Sequence, residues 1–128
     1  MTILLDTSAV VALLERRHAG VVELLRESVQ WPTISLITVG ELLAGAAMAP
    51  TPQIAAARRE TIRGTAQFQV HPIDQPSMSV YADVRAHGVR GNDALIVTAA
   101  VQLDARLVTF DRPLAARASE LTQVVLLE

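Results

Sequence analysis

The chain has 128 residues, within the ~100–200 of an ordinary domain, so one unit over residues 1–128 is expected and two full domains do not fit comfortably. Hydrophobic residues reach 51% with aromatics at only 3%, which requires an aliphatic core and argues against disorder. The formal charge is −2, all eleven basic residues are arginine, and cysteine is absent; a strongly basic nucleic-acid module, a disulfide framework and thiolate chemistry are thereby excluded.

In chain order, the aliphatic run Thr2–Leu5 ends at Asp6-Thr7-Ser8, and Val10, Val11, Leu13 and Leu14 then follow helical spacing: a strand, then a helix. Val21, Val22, Leu24, Leu25 and Val29 predict a second amphipathic helix ending before Trp31-Pro32. Thr33–Ile37 is the next candidate strand and Thr38–Met48 the next helix, closed by Ala49-Pro50-Thr51-Pro52. Gln53–Ala66 predicts a helix with an arginine-bearing face, which reads first as a solvated face. Phe68–His71 is a short strand, and a helix runs from Pro76 through Arg85, where a first-turn proline is tolerated. Gly91-Asn92-Asp93 opens the helix Ala94–Leu103, apolar nearly all round and therefore expected at the centre. Arg106–Thr109 predicts a strand, Pro113–Ser119 a helix and Val124–Leu127 a final strand. Strands that are continuous apolar runs alternating with helices indicate a parallel sheet covered on both faces, an α/β three-layer domain. No apolar run reaches the ~18 residues of a membrane span and no basic leader precedes one, so a cytoplasmic protein is expected.

Four acids stand out. Asp6 follows the first strand, Asp111 follows the Arg106–Thr109 strand, and Glu41 and Asp93 fall in the expected first turns of their helices. In a parallel sheet with right-handed crossovers, strand ends and helix starts share one edge, so distant residues converge there. Each acid also has a purely structural explanation. Thr38-Val39-Gly40-Glu41 fits a capping box, Asp6 and Asp111 fit helix N-caps, and Asp93 complements a helix dipole. Asp6 is the one least explained this way, because Thr7 or Ser8 offers a hydroxyl that caps the helix alone. Carboxylates crowded at one edge repel unless a cation compensates, and oxygen-only ligands select a hard ion, Mg²⁺ or Mn²⁺. Such an ion suits phosphoryl transfer, activating water and neutralising charge on a phosphodiester. Asp74, Asp83 and Asp104 read as caps or surface acids; His18, His71 and His87 lack metal-ligand spacing; Trp31 reads as a packing residue. Arg112 is a candidate contact to a substrate phosphate.

Leu4-Leu5-Asp6-Thr7-Ser8, Val39-Gly40-Glu41-Leu42-Leu43-Ala44-Gly45, Asn92-Asp93-Ala94-Leu95-Ile96 and Leu107-Val108-Thr109-Phe110-Asp111, in this order, resemble the motifs of the PIN-domain nucleases, and more narrowly of VapC-type toxins of bacterial toxin–antitoxin pairs. The resemblance covers essentially the whole chain. It implies a five-stranded parallel sheet, Mg²⁺-dependent endoribonuclease activity, neutralisation by a cognate antitoxin and, commonly, a homodimer. Asp6, Glu41, Asp93 and Asp111 match the family's acidic quartet, and Thr7 or Ser8 and Thr109 its accompanying hydroxyls, with an expected role in orienting carboxylates or water. Where many relatives carry Phe a few residues past the last acid, this chain reads Arg112-Pro113-Leu114. The open alternatives are a PIN-like module that binds RNA or a partner without chemistry, and a small phosphatase of the haloacid-dehalogenase type. Against the second stands Ser8, at the position where that class requires a second aspartate. Apart from the quartet, nine acids face eleven arginines, so the rest of the chain carries a formal +2.

Overall fold

The computed structural model describes residues 1–128. Its elements are β1 (Ile3–Leu5), α1 (Thr7–Arg16), α2 (Ala19–Arg26), β2 (Thr33–Ser35), α3 (Leu36–Ala47), α4 (Pro52–Gly64), β3 (Gln69–His71), α5 (Ser77–Ala86), α6 (Gly91–Leu103), β4 (Arg106–Thr109), α7 (Arg112–Ala118) and β5 (Gln123–Leu126). The strands form one all-parallel sheet in the order β3-β2-β1-β4-β5. No helix is long and apolar enough to cross a membrane.

Alternation along the strands explains why each reads as a continuous apolar run. Leu4 and Leu107 point into a cluster with Val84 of α5, Ile96, Val97 and Ala100 of α6, and Leu114 and Ala118 of α7. Ile3, Leu5 and Val108 point the opposite way, against Val10 and Ala12 of α1, Val21 of α2, Ile34 and Phe68. Both faces of the sheet are therefore buried, as a three-layer α/β/α fold requires. Small residues do much of the filling in α6, where Ala94, Ala99 and Ala100 are buried beside Ile96 and Val97; the helix is central as its composition predicts. Gly64 permits a close helix contact, since a Cβ there would stand 3.1 Å from the Leu14 side chain.

The chain builds outward from β1 to β2 and β3, then returns to place β4 on the other side of β1. This reversal makes the carboxyl ends of β1 and β4 a topological switch point, the position where open α/β sheets bind ligands. Leu5 pairs with Val108 at that end, and the Asp6 amide extends the ladder by donating to the Val108 carbonyl at 3.1 Å.

Two boundaries differ from expectation in ways that matter. The second helix stops at Arg26, and Val29 is 97% exposed rather than part of an apolar stripe. The strand expected over Thr33–Ile37 ends at Ser35, whose hydroxyl accepts from the Ile37 amide and caps α3, so the helix starts at Leu36, two residues before the expected Thr38. Leu36 and Ile37 are apolar enough for either state, and the available cap decides between them.

Candidate active site

Asp6 is the most buried of the four acids, at 5% exposure. Its backbone leaves β1 in extended geometry and its side chain caps α1, with Oδ1 accepting from the Ala9 amide at 2.9 Å and from the Ser8 hydroxyl at 2.6 Å. Oδ2 accepts from the Thr109 hydroxyl at the end of β4. The helix-cap reading of Asp6 therefore holds, although Thr7 and Ser8 each offered a hydroxyl for that role. Asp6 is itself the cap, and Ser8 braces it; Ser8 Oγ also takes the Phe110 amide at 3.4 Å.

Asp111 likewise serves as the N-cap of α7, accepting from the Leu114 amide at 3.0 Å, while its own amide donates to Thr109 Oγ1 at 3.0 Å. Thr109 thus links the two strand-end acids through one buried hydroxyl. Asp93 lies in the first turn of α6, as expected, where its charge complements the helix dipole.

Glu41 departs from the expected position. Because α3 starts at Leu36, Glu41 lies in the second turn, and the Thr38 capping box does not exist. Its Oε1 instead accepts from the Thr7 hydroxyl at 2.6 Å, a bond across 34 residues that ties α3 to α1. Thr7 Oγ1 also lies 3.1 Å from the buried Thr38 Oγ1. One hydroxyl carries one proton, so the carboxylate takes it and Thr38 donates in turn to Thr7. The sequence assigns Thr38 a capping role instead, because a threonine three residues before a glutamate imitates a helix cap.

The four acids lie close enough to act on one another's charge. Burial raises Asp93 above the ordinary carboxylate value, and the charges of Asp111, Asp6 and Glu41 raise it further. Burial also raises Asp6; the hydrogen bonds from Ser8, Thr109 and the Ala9 amide work against this, and Asp111 adds to it. The three ion pairs are Arg26–Glu23, Arg63–Glu60 and Arg112–Glu128, so no arginine neutralises any of the four. As the side chains stand, no three acidic or imidazole groups are gathered closely enough to enclose an ion. The donor chemistry nonetheless fits a hard divalent cation: an all-oxygen set, mutually repelling, without a protein countercharge.

A PIN domain family model matches residues 3–120. The chain belongs to the PIN domain family. Among solved structures, this PIN domain is similar to the VapBC2 complex of Rickettsia felis bound to a promoter DNA fragment, with 17% identity, full coverage of both chains and a TM-score of 0.79. It is also similar to VapBC-5 of Mycobacterium tuberculosis, described as a toxin–antitoxin system member, at 24% identity, 98% of each chain and a TM-score of 0.75. PAE2754 of Pyrobaculum aerophilum shares 27% identity over 98% of this chain and 92% of its own, with a TM-score of 0.67. No curated protein sequence matches at a significant level.

The remaining candidates sit away from the PIN domain's acidic edge or are otherwise engaged. Arg112 follows Asp111 but donates to Glu128 at 2.7 Å in an exposed pair. His18 caps α2 through Nδ1, places Nε2 3.1 Å from the Glu128 carbonyl, and packs edge-on against Phe110. Asp74 accepts from the Ser77 amide and hydroxyl, and Asp104 ends α6 in left-handed backbone. Trp31 tilts against Phe68 but remains 58% exposed.

Proposed function

We propose that this PIN domain is a metal-dependent endoribonuclease, the toxin half of a cytoplasmic VapC-type toxin–antitoxin pair. The observation that carries the reading is the set Asp6, Glu41, Asp93 and Asp111 at the carboxyl edge of the sheet, electrostatically coupled and without a basic partner. Asp6 and Asp93 would hold Mg²⁺ or Mn²⁺, with Glu41 and Asp111 completing the acidic surround. When bound, the ion supplies charge neutralisation on a phosphodiester and a more acidic water.

The protein's own contribution is positioning. Asp6 is fixed from three sides by Ser8, Ala9 and Thr109, so its oxygens do not depend on the ion for their orientation. Thr7 holds Glu41 toward α1. The arginines that remain outside the cluster leave the rest of the chain with net positive charge for an RNA backbone.

Leu13, Leu14, Val22, Leu25, Trp31 and Phe68 line an open apolar cavity of about 390 Å³ between α1, α2 and the end of α4. An antitoxin segment or, as the resemblance implies, a second copy of the chain is the expected partner, and the exposed Trp31 ring is the part of this cavity open to such a contact.

The test is cleavage of RNA by purified protein with Mg²⁺ or Mn²⁺, its loss on chelation, and its loss in Asp6→Asn and Asp93→Asn. Undiminished cleavage by both variants at wild-type stability overturns the assignment, and turnover of small phosphomonoesters in place of RNA would favour a phosphatase.

A further inference from the structure

We propose that the cavity between α1, α3 and α4 receives one unstacked guanine of the RNA, read by Glu15 and Arg58 beside the acidic edge. The proposal rests on the ribonuclease reading above and goes beyond it to base selection. The cavity has a volume of about 260 Å³, and its walls include Thr7 and Glu41 as well as Glu15, Arg58 and Thr61. It is smaller than the ~300–1,000 Å³ of pockets for drug-sized ligands, which suits a single base. Whatever occupies it touches the residues that hold the site together.

Glu15 and Arg58 carry opposite charges and line the same cavity, yet they form no ion pair. Each is anchored elsewhere. Thr61, itself buried, donates to Glu15 Oε1 at 2.9 Å, and Arg58 Nη1 donates to the Gly45 carbonyl at 2.6 Å. These bonds leave Oε2 of Glu15 and the other N–H groups of Arg58 without a protein partner, on two residues that line the same cavity. A Cβ at Gly45 would meet nothing within 4 Å, so the opening beside Arg58 is clear.

A carboxylate and a guanidinium lining one cavity match guanine better than the other bases. Guanine presents two adjacent donors, N1–H and the N2 amino group, which a carboxylate accepts together. Its O6 and N7 form the acceptor pair that arginine engages bidentately. Sequence-specific RNA recognition typically reads such edges on splayed-out bases. Stacking on aromatic rings is not available at this site; Val11 and Leu42 supply apolar contact for the base.

The experiment compares two single-stranded RNAs that differ only by guanosine or inosine next to the cleaved bond, since inosine lacks the N2 amino group. Binding is measured on the Asp6→Asn protein, and cleavage on protein with wild-type Asp6. The expected guanosine-to-inosine ratio is about tenfold or more, the value of one hydrogen bond to a charged group. Glu15→Ala and Glu15→Gln, placed in each background and checked for folding by thermal melting, bring that ratio near one. Arg58→Ala erodes the preference for guanosine over adenosine. A ratio near one before Glu15 is changed, a ratio that survives both Glu15 variants, or loss of partner-protein binding with the RNA pattern retained overturns the proposal. Absence of any cleavage defeats the ribonuclease reading, while the binding ratio still judges the cavity.

Discussion

Thr109 gives its hydroxyl proton to Asp6, 103 residues away, and takes the Asp111 amide on the same oxygen. One buried side chain at the end of β4 thus fixes the two strand-end acids relative to each other. Thr109→Val keeps the shape, leaves the Asp111 amide without its acceptor and removes a bond that lowers the Asp6 pKa. The acid limb of the cleavage profile should move to higher pH and the rate at pH 6 should fall by about 10–100-fold, on the order of one charged hydrogen bond. Thr109→Ser should restore both. An unshifted profile in the valine variant would show that the hydroxyl does not act through Asp6.

Asp6 combines two roles that substitution can separate. Asparagine caps a helix about as well as aspartate, whereas alanine costs about 1 kcal/mol or more. Asp6→Asn should therefore melt close to wild type while losing at least 100-fold in cleavage, and Asp6→Ala should lose stability as well. Denaturant unfolding alongside RNA cleavage separates the two effects.

Burial and neighbouring carboxylates raise Asp93 and Asp6 above the ordinary value of 3.8. The folded protein keeps these protons after the unfolded chain has released them. Their contribution therefore favours folding most below pH 3.8, is lost as pH rises through the raised folded values, and does not return at neutral pH. Asp93→Asn should melt above wild type at pH 7, with the advantage shrinking toward pH 4. Added Mg²⁺ should raise the wild-type melting temperature more than that of the variant. Calorimetric scans across pH, with and without the ion, test both effects; equal responses in the two proteins would remove Asp93 from the cation site.

Asp104 ends α6 with φ +49°, a left-handed conformation that favours glycine. Asp104→Gly should stabilise the fold by about 1 kcal/mol and leave RNA cleavage unaltered, because this residue lies at the other end of α6 from Asp93. Chemical denaturation measures the gain.

The strand-and-helix alternation was legible because two-sided burial writes the strands as unbroken aliphatic runs, Ile3-Leu4-Leu5 and Leu107-Val108 above all. The acids after β1 and β4 and at the start of α6 followed from chain order in a parallel sheet. Glu41 was identified but misplaced within its helix. Leu36 and Ile37 extend an aliphatic strand pattern as readily as they begin a helix, and only the Ser35 hydroxyl on the Ile37 amide distinguishes the two. Asp6 showed the reverse difficulty: adjacent hydroxyls made a cap by the acid seem redundant, although its Oδ1 takes the Ala9 amide. The Glu15–Arg58 cavity left no local pattern, since three separate helices assemble it.

Between β2 and α3 there is no connecting residue: Ser35 closes the strand and Leu36 begins the helix. The azimuth of Glu41 around its helix is therefore geared directly to the sheet. Inserting one residue after Ser35 would turn the helix by about 100° relative to the strand, and no loop is present to absorb the rotation. The carboxylate would swing off the edge, so the length of this joint, and not only its side chains, sets where Glu41 points.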